Sequence, residues 1–289
     1  MNQFKYSLDK SSKKFSCPSC HKKSFVRYTD NEEQCYLEAN VGRCDRESKC
    51  QYHLKPNGNV SLVSLTGSVV KQPSHHDINV LSSFGVHYNN NNFITYLTRH
   101  FCNVDIIKAI KKYFIGTSTH WNGATIFWQV NEYMEVYCGK VMLYDTSTGK
   151  RVKRPYTHIS WMHKVLCIQG FVQQQCLFGL HNLCDYSVIH TICIVESEKT
   201  AIIMSILFPG ELWLATGSKN NFKEQLLRPV KQFKIIMFPD KTEFVDWNTK
   251  TENLKKQGYN ILCSGMLEGK DLDEGDDLVD LVVSHRVLI

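Results

Sequence analysis

The C-terminal third of the chain, from Thr191 onward, alternates between short apolar runs and segments with helical character. This alternation predicts a mostly parallel sheet covered by helices, because consecutive parallel strands need a crossover between them. In such sheets, ligands bind beyond the carboxyl ends of the strands. The predicted strands are 191–195, 212–215, 233–238 and 260–264, and the predicted helices are 197–208, 219–227 and 243–257.

Acidic residues follow three of these predicted strands. Glu196 comes directly after the first strand, and Asp240 lies two residues after the third. Carboxylates that converge on one crevice repel one another unless a cation lies between them, and oxygen ligands suit Mg²⁺. We therefore expect a Mg²⁺ site at this edge of the sheet. Further candidates follow the fourth strand: Asp271, Asp273, Glu274, Asp276 and Asp277.

The N-terminal part of the chain concentrates cysteine: five of the 12 cysteines fall within residues 17–50. The first 14 residues are polar and lack the apolar core of a secretory signal, so clustered cysteines point to a metal rather than to disulfides. A Cys-x2-Cys pair and a second pair after a hairpin-length gap predict a structural zinc ribbon. The predicted Zn²⁺ ligands are Cys17, Cys20, Cys44 and Cys50, with Cys35 and His53 as alternatives.

Cations and aromatic residues are interleaved in this predicted ribbon. Bases can stack on such rings while the cations contact phosphates. The same rings can instead form the small core of the ribbon, and we expect this for about half of them. The five rings are Phe15, Phe25, Tyr28, Tyr36 and Tyr52.

The middle of the chain begins after a polar stretch, 57–76, that predicts a linker. Helices are predicted over 78–84 and 93–101. A third is predicted to be capped by Asn103, with apolar positions at helical spacing at Val104, Ile107, Ile110 and Phe114. A β-meander is predicted over 124–130, 133–138 and 140–144. It leads into a basic run suited to hold a phosphodiester backbone: Lys150, Arg151, Lys153 and Arg154.

Composition narrows the class of protein. Hydrophobic residues make up 43% and charged residues 21%, which excludes wholesale disorder. The most apolar windows, 190–195 and 278–289, are shorter than the ~18 residues of a membrane span, so we expect a cytoplasmic protein with no membrane contact. Residues 1–193 hold 22 basic and 13 acidic side chains, whereas residues 194–289 hold 12 and 15. This asymmetry suits a protein that binds a polyanion with one part and divalent cations with another.

Three short segments carry a more specific pattern. Segment 192–201 reads Ile-Cys-Ile-Val-Glu-Ser-Glu-Lys-Thr-Ala, segment 235–240 reads Ile-Ile-Met-Phe-Pro-Asp, and segment 269–274 reads Gly-Lys-Asp-Leu-Asp-Glu. The first resembles the Toprim signature, a hydrophobic strand that ends in Glu before a helix. The second resembles the second Toprim motif, and the third is similar to the acidic motif of bacterial replicative primases.

The order of the segments extends this resemblance over nearly the whole chain. Segments 126–128, 139–140 and 176–180 are similar to the basic subdomain that precedes the Toprim domain in replicative primases. With the zinc ribbon in front, the chain most resembles the short primase-like proteins of plasmids and other mobile elements. The expected fold is α+β and multidomain: a zinc ribbon over 1–56, a linker over 57–76, a mixed α/β basic subdomain over 77–190, and an α/β, Rossmann-like Toprim domain over 191–289.

The resemblance also implies residue roles. Glu196 would be the catalytic acidic residue and Asp240 the first Mg²⁺-binding Asp. Asp271 and Asp273 would be further catalytic Mg²⁺ ligands, with Asp277 as a rival. The residues implied in nucleic-acid binding are Lys140, Lys150, Arg151, Lys153, Arg154 and Lys199.

The implied activity is that of a DNA primase, a nucleotidyltransferase that uses nucleoside triphosphates, Mg²⁺ and a single-stranded DNA template. The implied context is replication of a mobile element, with a replicative helicase or another element-encoded replication protein as partner. One departure matters: the family's Asp-x-Asp motif is Asp240-Lys241-Thr242 here, and Glu243 is the nearest substitute carboxylate. Two alternatives therefore stay open: a non-catalytic nucleic-acid-binding protein with a decayed Toprim domain, and a Toprim nuclease.

Overall fold

The computed structural model describes residues 5–31, 35–56, 72–185 and 191–284. Its contacts divide the chain into two compact units, Met1–Val70 and Lys71–Ile289. Most of the predicted linker, 57–71, lies outside the described residues, as does the segment 186–190 that ends the predicted basic subdomain. The described helices are all too short or too polar to cross a lipid bilayer.

The first unit is a small antiparallel sheet around a central strand, β3. Its core is small, with Cys17, Phe25 and Cys44 as its buried cluster, so a domain of this size needs a further source of stability such as a metal. The elements are β1 (Tyr6–Leu8), β2 (Phe15–Ser16), β3 (Lys23–Asp30), β4 (Cys35–Tyr36), β5 (Gly42–Cys44), α1 (Glu47–Cys50) and β6 (His53–Leu54).

The second unit begins with helices and an antiparallel sheet of order β10-β9-β8-β7. The predicted meander is confirmed, but β9 runs unbroken through Gly139, where two strands were predicted. The elements are α2 (Val80–Phe84), α3 (Asn92–Leu97), α4 (Asn103–Lys112), β7 (Gly116–Ser118), β8 (Ala124–Val130), β9 (Val136–Met142), β10 (Ile159–Trp161) and α5 (Met162–Val165).

The prediction for helix α4 was wrong in two respects. Asn103 is its first residue and Cys102 is the N-cap residue. Val104 and Ile107 belong to the predicted apolar stripe, yet they are 61% and 51% exposed. Two stripes of this helix satisfy the helical period, and the periodicity alone cannot choose between them; the stripe that meets the core is the other one. The buried residues of α4 are Ile106, Ala109 and Ile110.

The second unit continues with a parallel sheet of order β12-β11-β13-β14, which confirms the predicted parallel arrangement. The predicted helix 219–227 is instead a 3-10 turn, Lys219–Asn221, followed by the short helix α7. The elements are β11 (Thr191–Val195), α6 (Glu198–Leu207), β12 (Leu212–Ala215), α7 (Glu224–Leu227), β13 (Lys234–Phe238), α8 (Phe244–Lys256), β14 (Ile261–Cys263) and α9 (Leu278–Ser284).

One hydrophobic core joins the antiparallel and parallel sheets. Tyr113 stacks on Phe178 at 5.2 Å, and its hydroxyl donates to the carbonyl of Trp213 on β12 at 2.9 Å. Phe127 of β8 and Val195 of β11 belong to the same buried cluster. The carboxyl ends of the parallel strands are therefore fixed relative to the antiparallel sheet.

Close packing around Gly139 predicts the effect of one added methyl group. A Cβ at this position would lie 2.6 Å from the Trp128 ring and 2.7 Å from Met162 Cγ. We expect Gly139→Ala to lower the free energy of unfolding by about 1–3 kcal/mol, the usual effect of overpacking a core. Urea denaturation of the full chain measures this. Gly210→Ala is the matched control, because no atom lies within 4 Å of its added Cβ; equal stability of the two variants would contradict the packing of β9.

Candidate functional site

The four predicted zinc ligands lie together in the first unit. The sulfurs of Cys17 and Cys50 are 3.6 Å apart, those of Cys20 and Cys44 are 3.9 Å apart, and all four lie within 4.8 Å of one another. A tetrahedral Zn²⁺ bound at about 2.3 Å to each sulfur separates the sulfurs by about 3.8 Å. The cluster therefore has the size and ligand chemistry of a structural zinc site.

Local structure explains why these four side chains converge. A tight turn between β2 and β3 carries Cys17 and Cys20, closed by the His21 N–H donating to the Cys17 carbonyl. Helix α1 spans the wider gap of the second pair and ends at Cys50. Burial raises the pKa of the Cys17 thiol to about 11, so its thiolate form needs a cation beside it.

The alternative ligands are placed elsewhere. Cys35 lies on β4 opposite Asp30 and is exposed. His53 stacks on Tyr28, and its Nε2 lies 3.0 Å from the tyrosine hydroxyl. Within the described ranges, the four-cysteine cluster is the only group of three or more Cys, His, Asp or Glu side chains close enough to share a metal ion.

Most rings of the ribbon contact other side chains of the ribbon. Phe25 is fully buried and packs edge-on against Tyr52 at 5.7 Å. The cations of Lys13 and Arg27 lie 5.0 to 5.6 Å from the rings of Phe15 and Tyr36. Four of the five rings therefore take part in the ribbon's own packing or cation–π contacts, which is more than the expected half.

A cleft of 240 Å³ in the second unit collects many of the other predicted residues. It lies where the carboxyl ends of β11 and β13 face β9 and the connection that follows β9. Acidic and basic side chains both line it. The acidic residues are Glu196, Glu198, Asp240, Glu274, Asp276, Asp277 and Asp280, and the basic residues are Lys140, Lys150, Arg151, Lys153 and Lys199.

Asp240 is the most crowded carboxylate of the cleft. Burial raises its pKa to about 8, with a further rise from Glu196 and Asp277. Burial, followed by the nearby Glu243 carboxylate, also raises the pKa of Glu196. Across the described part of the chain, neither a hydrogen bond nor an ion pair engages the Asp240 carboxylate. A half-buried carboxylate beside other carboxylates, with no donor to satisfy it, fits a hard divalent cation.

Asp277 lines the cleft, but its oxygens already have partners. Oδ1 accepts the backbone N–H groups of Val279 and Asp280, while Asp280 Oδ2 accepts the Asp277 N–H. This reciprocal pair caps helix α9. Oδ2 accepts the Thr200 hydroxyl and lies 3.8 Å from Lys199 Nζ. Asp277 therefore anchors the acidic loop to α6.

Asp271 and Asp273, also predicted as Mg²⁺ ligands, are exposed and do not line the cleft. Their loop is held from below by Lys241, whose ammonium donates to three backbone carbonyls of residues 267–270 at 2.8 to 2.9 Å. Thr242 is exposed as well, with a φ of 76°. Its N–H donates to the Glu268 carboxylate, and Thr242 is outside the cleft lining.

Lys140 forms a buried ion pair that sequence reasoning missed. Its Nζ lies 3.1 and 3.2 Å from the two oxygens of Glu198 and 2.7 Å from the Gly217 carbonyl. These contacts use the three donors of the ammonium and connect β9 to α6. Nucleic-acid binding by Lys140 stays a prediction. No local pattern marks this pair, because its members are 58 residues apart.

The basic run divides between the cleft and its surroundings. Lys150, Arg151 and Lys153 are exposed and line the cleft, whereas Arg154 is exposed outside the lining. The missed Asp280 has a recognisable sequence signal: an Asp followed three residues later by a second Asp at the start of an apolar run resembles a helix cap.

Comparison with known proteins gives the chain a family. Residues 91–241, just over half of the chain, match the family described as "Domain of unknown function (DUF6371)", and the chain belongs to this family. Residues 4–61 match the family described as a zinc beta-ribbon finger. No curated protein matches the chain.

Among solved structures, the chain is similar to three primase fragments. The match with a DnaG primase catalytic domain bound to ssDNA covers 71% of this chain and 74% of that one, with 13% sequence identity and a TM-score of 0.45. The match with the primase fragment of the bacteriophage T7 primase-helicase protein covers 95% of this chain and 98% of that one, with 12% identity and a TM-score of 0.41. The match with the zinc-binding and RNA polymerase domains of the Aquifex aeolicus primase covers 96% of this chain and 77% of that one, with 10% identity and a TM-score of 0.40.

The cysteine cluster predicts that the purified protein holds about one Zn²⁺ per chain. We expect a Cys17→Ser, Cys20→Ser double variant to lose this zinc, because two of four ligands are removed. Elemental analysis measures the content. Cys35→Ser is the control and should retain zinc; unchanged zinc in the double variant would refute the assignment.

The Lys140–Glu198 pair predicts a large effect on stability. Lys140→Met leaves the Glu198 carboxylate buried without its partner, so we expect the free energy of unfolding to fall by about 3–5 kcal/mol. Lys250→Met, which removes a more exposed pair with Asp246, should cost less than about 1 kcal/mol. Urea denaturation compares the two. If adding Glu198→Leu to Lys140→Met restores no stability, the buried charge is not the cause.

Proposed function

We propose that this chain is a primase-like nucleotidyltransferase that makes primers on single-stranded DNA, with a Toprim domain over 191–289. One observation carries the proposal: strand-end carboxylates and exposed cations share one cleft. Nucleotide transfer needs both, since the phosphates of template and triphosphate require cations, and metal ions that neutralise the reacting phosphates require carboxylates. A cleft of one charge sign would serve only half of this chemistry.

In this proposal, Glu196 and Asp240 hold Mg²⁺. The N–H of Gly217 donates to the Glu196 carbonyl at 2.8 Å and fixes the backbone of this residue. Bound Mg²⁺ would supply charge neutralisation at the reacting phosphates. Asp271 and Asp273 have no assigned role in this arrangement, because both are exposed away from the cleft.

The cations divide the remaining work. Lys150, Arg151 and Lys153 would bind the phosphates of the incoming triphosphate or of the template, since each lines the cleft and is exposed. Burial, Glu196 and Asp277 raise the pKa of Asp240, and the Lys199 ammonium offsets part of this rise. Lys199 would in this way favour the charged carboxylate that binds metal. The zinc ribbon would engage the template through its exposed cations.

The resemblance to proteins of mobile elements supplies the rest of the proposal. Nucleoside triphosphates would be the substrates, and the activity would serve replication of such an element. A replicative helicase or another replication protein of the element would be the partner.

A second candidate, a nucleic-acid-binding protein without catalysis, is favoured by the second Toprim motif. Thr242 stands where a second acidic residue would bind metal and is outside the cleft lining. Asp277, the rival ligand, already uses its carboxylate to cap α9. A Toprim nuclease would use the same Glu196 and Asp240, and it would yield shortened strands rather than new ones.

Primer synthesis tests the proposal directly. The full chain is incubated with single-stranded DNA templates, labelled nucleoside triphosphates and Mg²⁺, and products are separated on a gel. We expect template-dependent oligonucleotides, reduced at least about a hundredfold by Glu196→Gln, which keeps the shape of the side chain and removes its charge. Glu252→Gln, an exposed change on α8, should leave the yield unchanged.

Metal binding provides a second readout. Mg²⁺ should raise the melting temperature of the wild type but not of Asp240→Asn, because the crowded carboxylate is relieved by the cation in one case and absent in the other. Bound Mg²⁺ and DNA without products would favour the non-catalytic protein, and shortened templates would favour the nuclease. Near-normal synthesis by Glu196→Gln would show that the chemistry lies elsewhere.

A further inference from the structure

Four aromatic side chains, here called the aromatic stack, lie beside the basic run. Tyr156 lies on the ring of His158 at 4.4 Å with an interplanar angle of 24°. Trp121 meets the same imidazole edge-on at 5.1 Å, and His120 lies 4.5 Å from Trp121. The stack thus contains two neighbours from one segment and two from another.

The antiparallel sheet brings these two segments together. Thr125, near the start of β8, pairs with Met142 at the end of β9, and Ile159 of β10 pairs with the same Met142. The β7–β8 turn, 119–123, and the β9–β10 connection, 143–158, therefore leave the sheet at the same end. The β8–β9 turn, which carries Tyr133, lies at the opposite end.

The stack has a fixed base and an open face. His158 is buried, and its backbone N–H and its Nδ1 lie 3.3 and 3.2 Å from the Val152 carbonyl. Trp121 packs against the hydrophobic core beneath the sheet. Tyr156 is 56% exposed, so the ring that lies on this fixed base presents its other side to solvent. Most rings of the zinc ribbon, in contrast, contact neighbouring ribbon side chains.

The charge around the stack suits a polyanion. The 143–158 connection carries four cations and one acidic residue, Asp145. The Asp145 carboxylate already accepts hydrogen bonds from Ser147 and Thr148. Three of the cations line the cleft, while Val152, between them, holds His158. One short segment therefore carries both the cations of the cleft and the base of the stack.

We propose that the aromatic stack binds a nucleobase of single-stranded DNA on the open face of Tyr156, next to the cations that hold the backbone leading into the cleft. This site rests on the proposed function, since it assigns a path to the template. Stacking requires an unpaired base with a free face, so the site selects single strands over duplex. It tolerates any sequence, because every base has such a face.

The test compares two strands that carry equal numbers of phosphates. One is an oligothymidylate of about 16 nucleotides, near the upper range of sites of this kind, and the other is an abasic strand of the same length. The full chain is titrated with each by fluorescence anisotropy. We expect Tyr156→Ala to weaken binding of oligothymidylate about tenfold and to leave binding of the abasic strand unchanged, whereas Tyr156→Phe retains both affinities.

Two controls separate stacking from charge and from folding. Tyr133→Ala removes a more exposed ring, 77% exposed, at the other end of the sheet and should change neither affinity. A Lys153→Ala, Arg154→Ala variant should weaken binding of both strands and flatten the salt dependence, because fewer counterions are released. Tyr156→Ala should keep the salt dependence of the wild type.

The possible outcomes distinguish this site from the proposed function. Equal weakening of both strands by Tyr156→Ala, or no weakening of either, would overturn the stacking site. So would a wild type that binds oligothymidylate no more tightly than the abasic strand. If Tyr156→Ala weakens binding of the oligothymidylate alone but the wild type makes no primers, the stacking site is supported and the primase proposal fails. Primer synthesis together with unchanged affinity in Tyr156→Ala would overturn the stack alone.

Discussion

The buried contact of Lys140 with Glu198 and the Gly217 carbonyl fixes the geometry on which the cleft depends. It joins β9 of the antiparallel sheet to the start of α6 and to the loop after β12. Two opposite charges away from water are stable only as a pair with satisfied hydrogen bonds. The antiparallel and parallel sheets are therefore held in one relative position. The connection after β9 faces the carboxyl ends of the parallel strands.

This arrangement places several carboxylates close together in the cleft, where they repel one another. Asp240 is half-buried beside Glu196 and Asp277, and desolvation together with these carboxylates raises its pKa to about 8. Contacts with neighbouring residues offset part of this repulsion between carboxylates. Asp277 is stabilised by capping α9, and Lys241 holds the acidic loop through its backbone carbonyls. A site that stores repulsion between carboxylates gains most from a divalent cation, which is why the cleft, rather than the exposed loop, supports the proposed chemistry.

The two compact units obtain their stability in different ways. The second unit has a continuous core that includes Tyr113, Phe127, Phe178 and Val195. The first unit has only a small buried cluster, Cys17, Phe25 and Cys44, which an ion bound by the four thiolates would stabilise. Because its rings are largely engaged in internal contacts, the exposed aromatic surface beside the basic run of the second unit is better suited to stack on bases.

The sequence by itself determined the features that arise within one segment or a fixed spacing. These include the parallel sheet, the four zinc ligands as a candidate set, and the placement of Glu196 and Asp240 at strand ends. It could not choose the buried face of α4, since two stripes share the same period. It also could not show that Lys140 pairs with Glu198, that Asp271 and Asp273 are exposed, or that Trp121 packs edge-on against His158. Those arrangements depend on which distant segments pack together, and only the tertiary structure decides this, because burial and pairing are selected by contacts across the whole core rather than by local spacing.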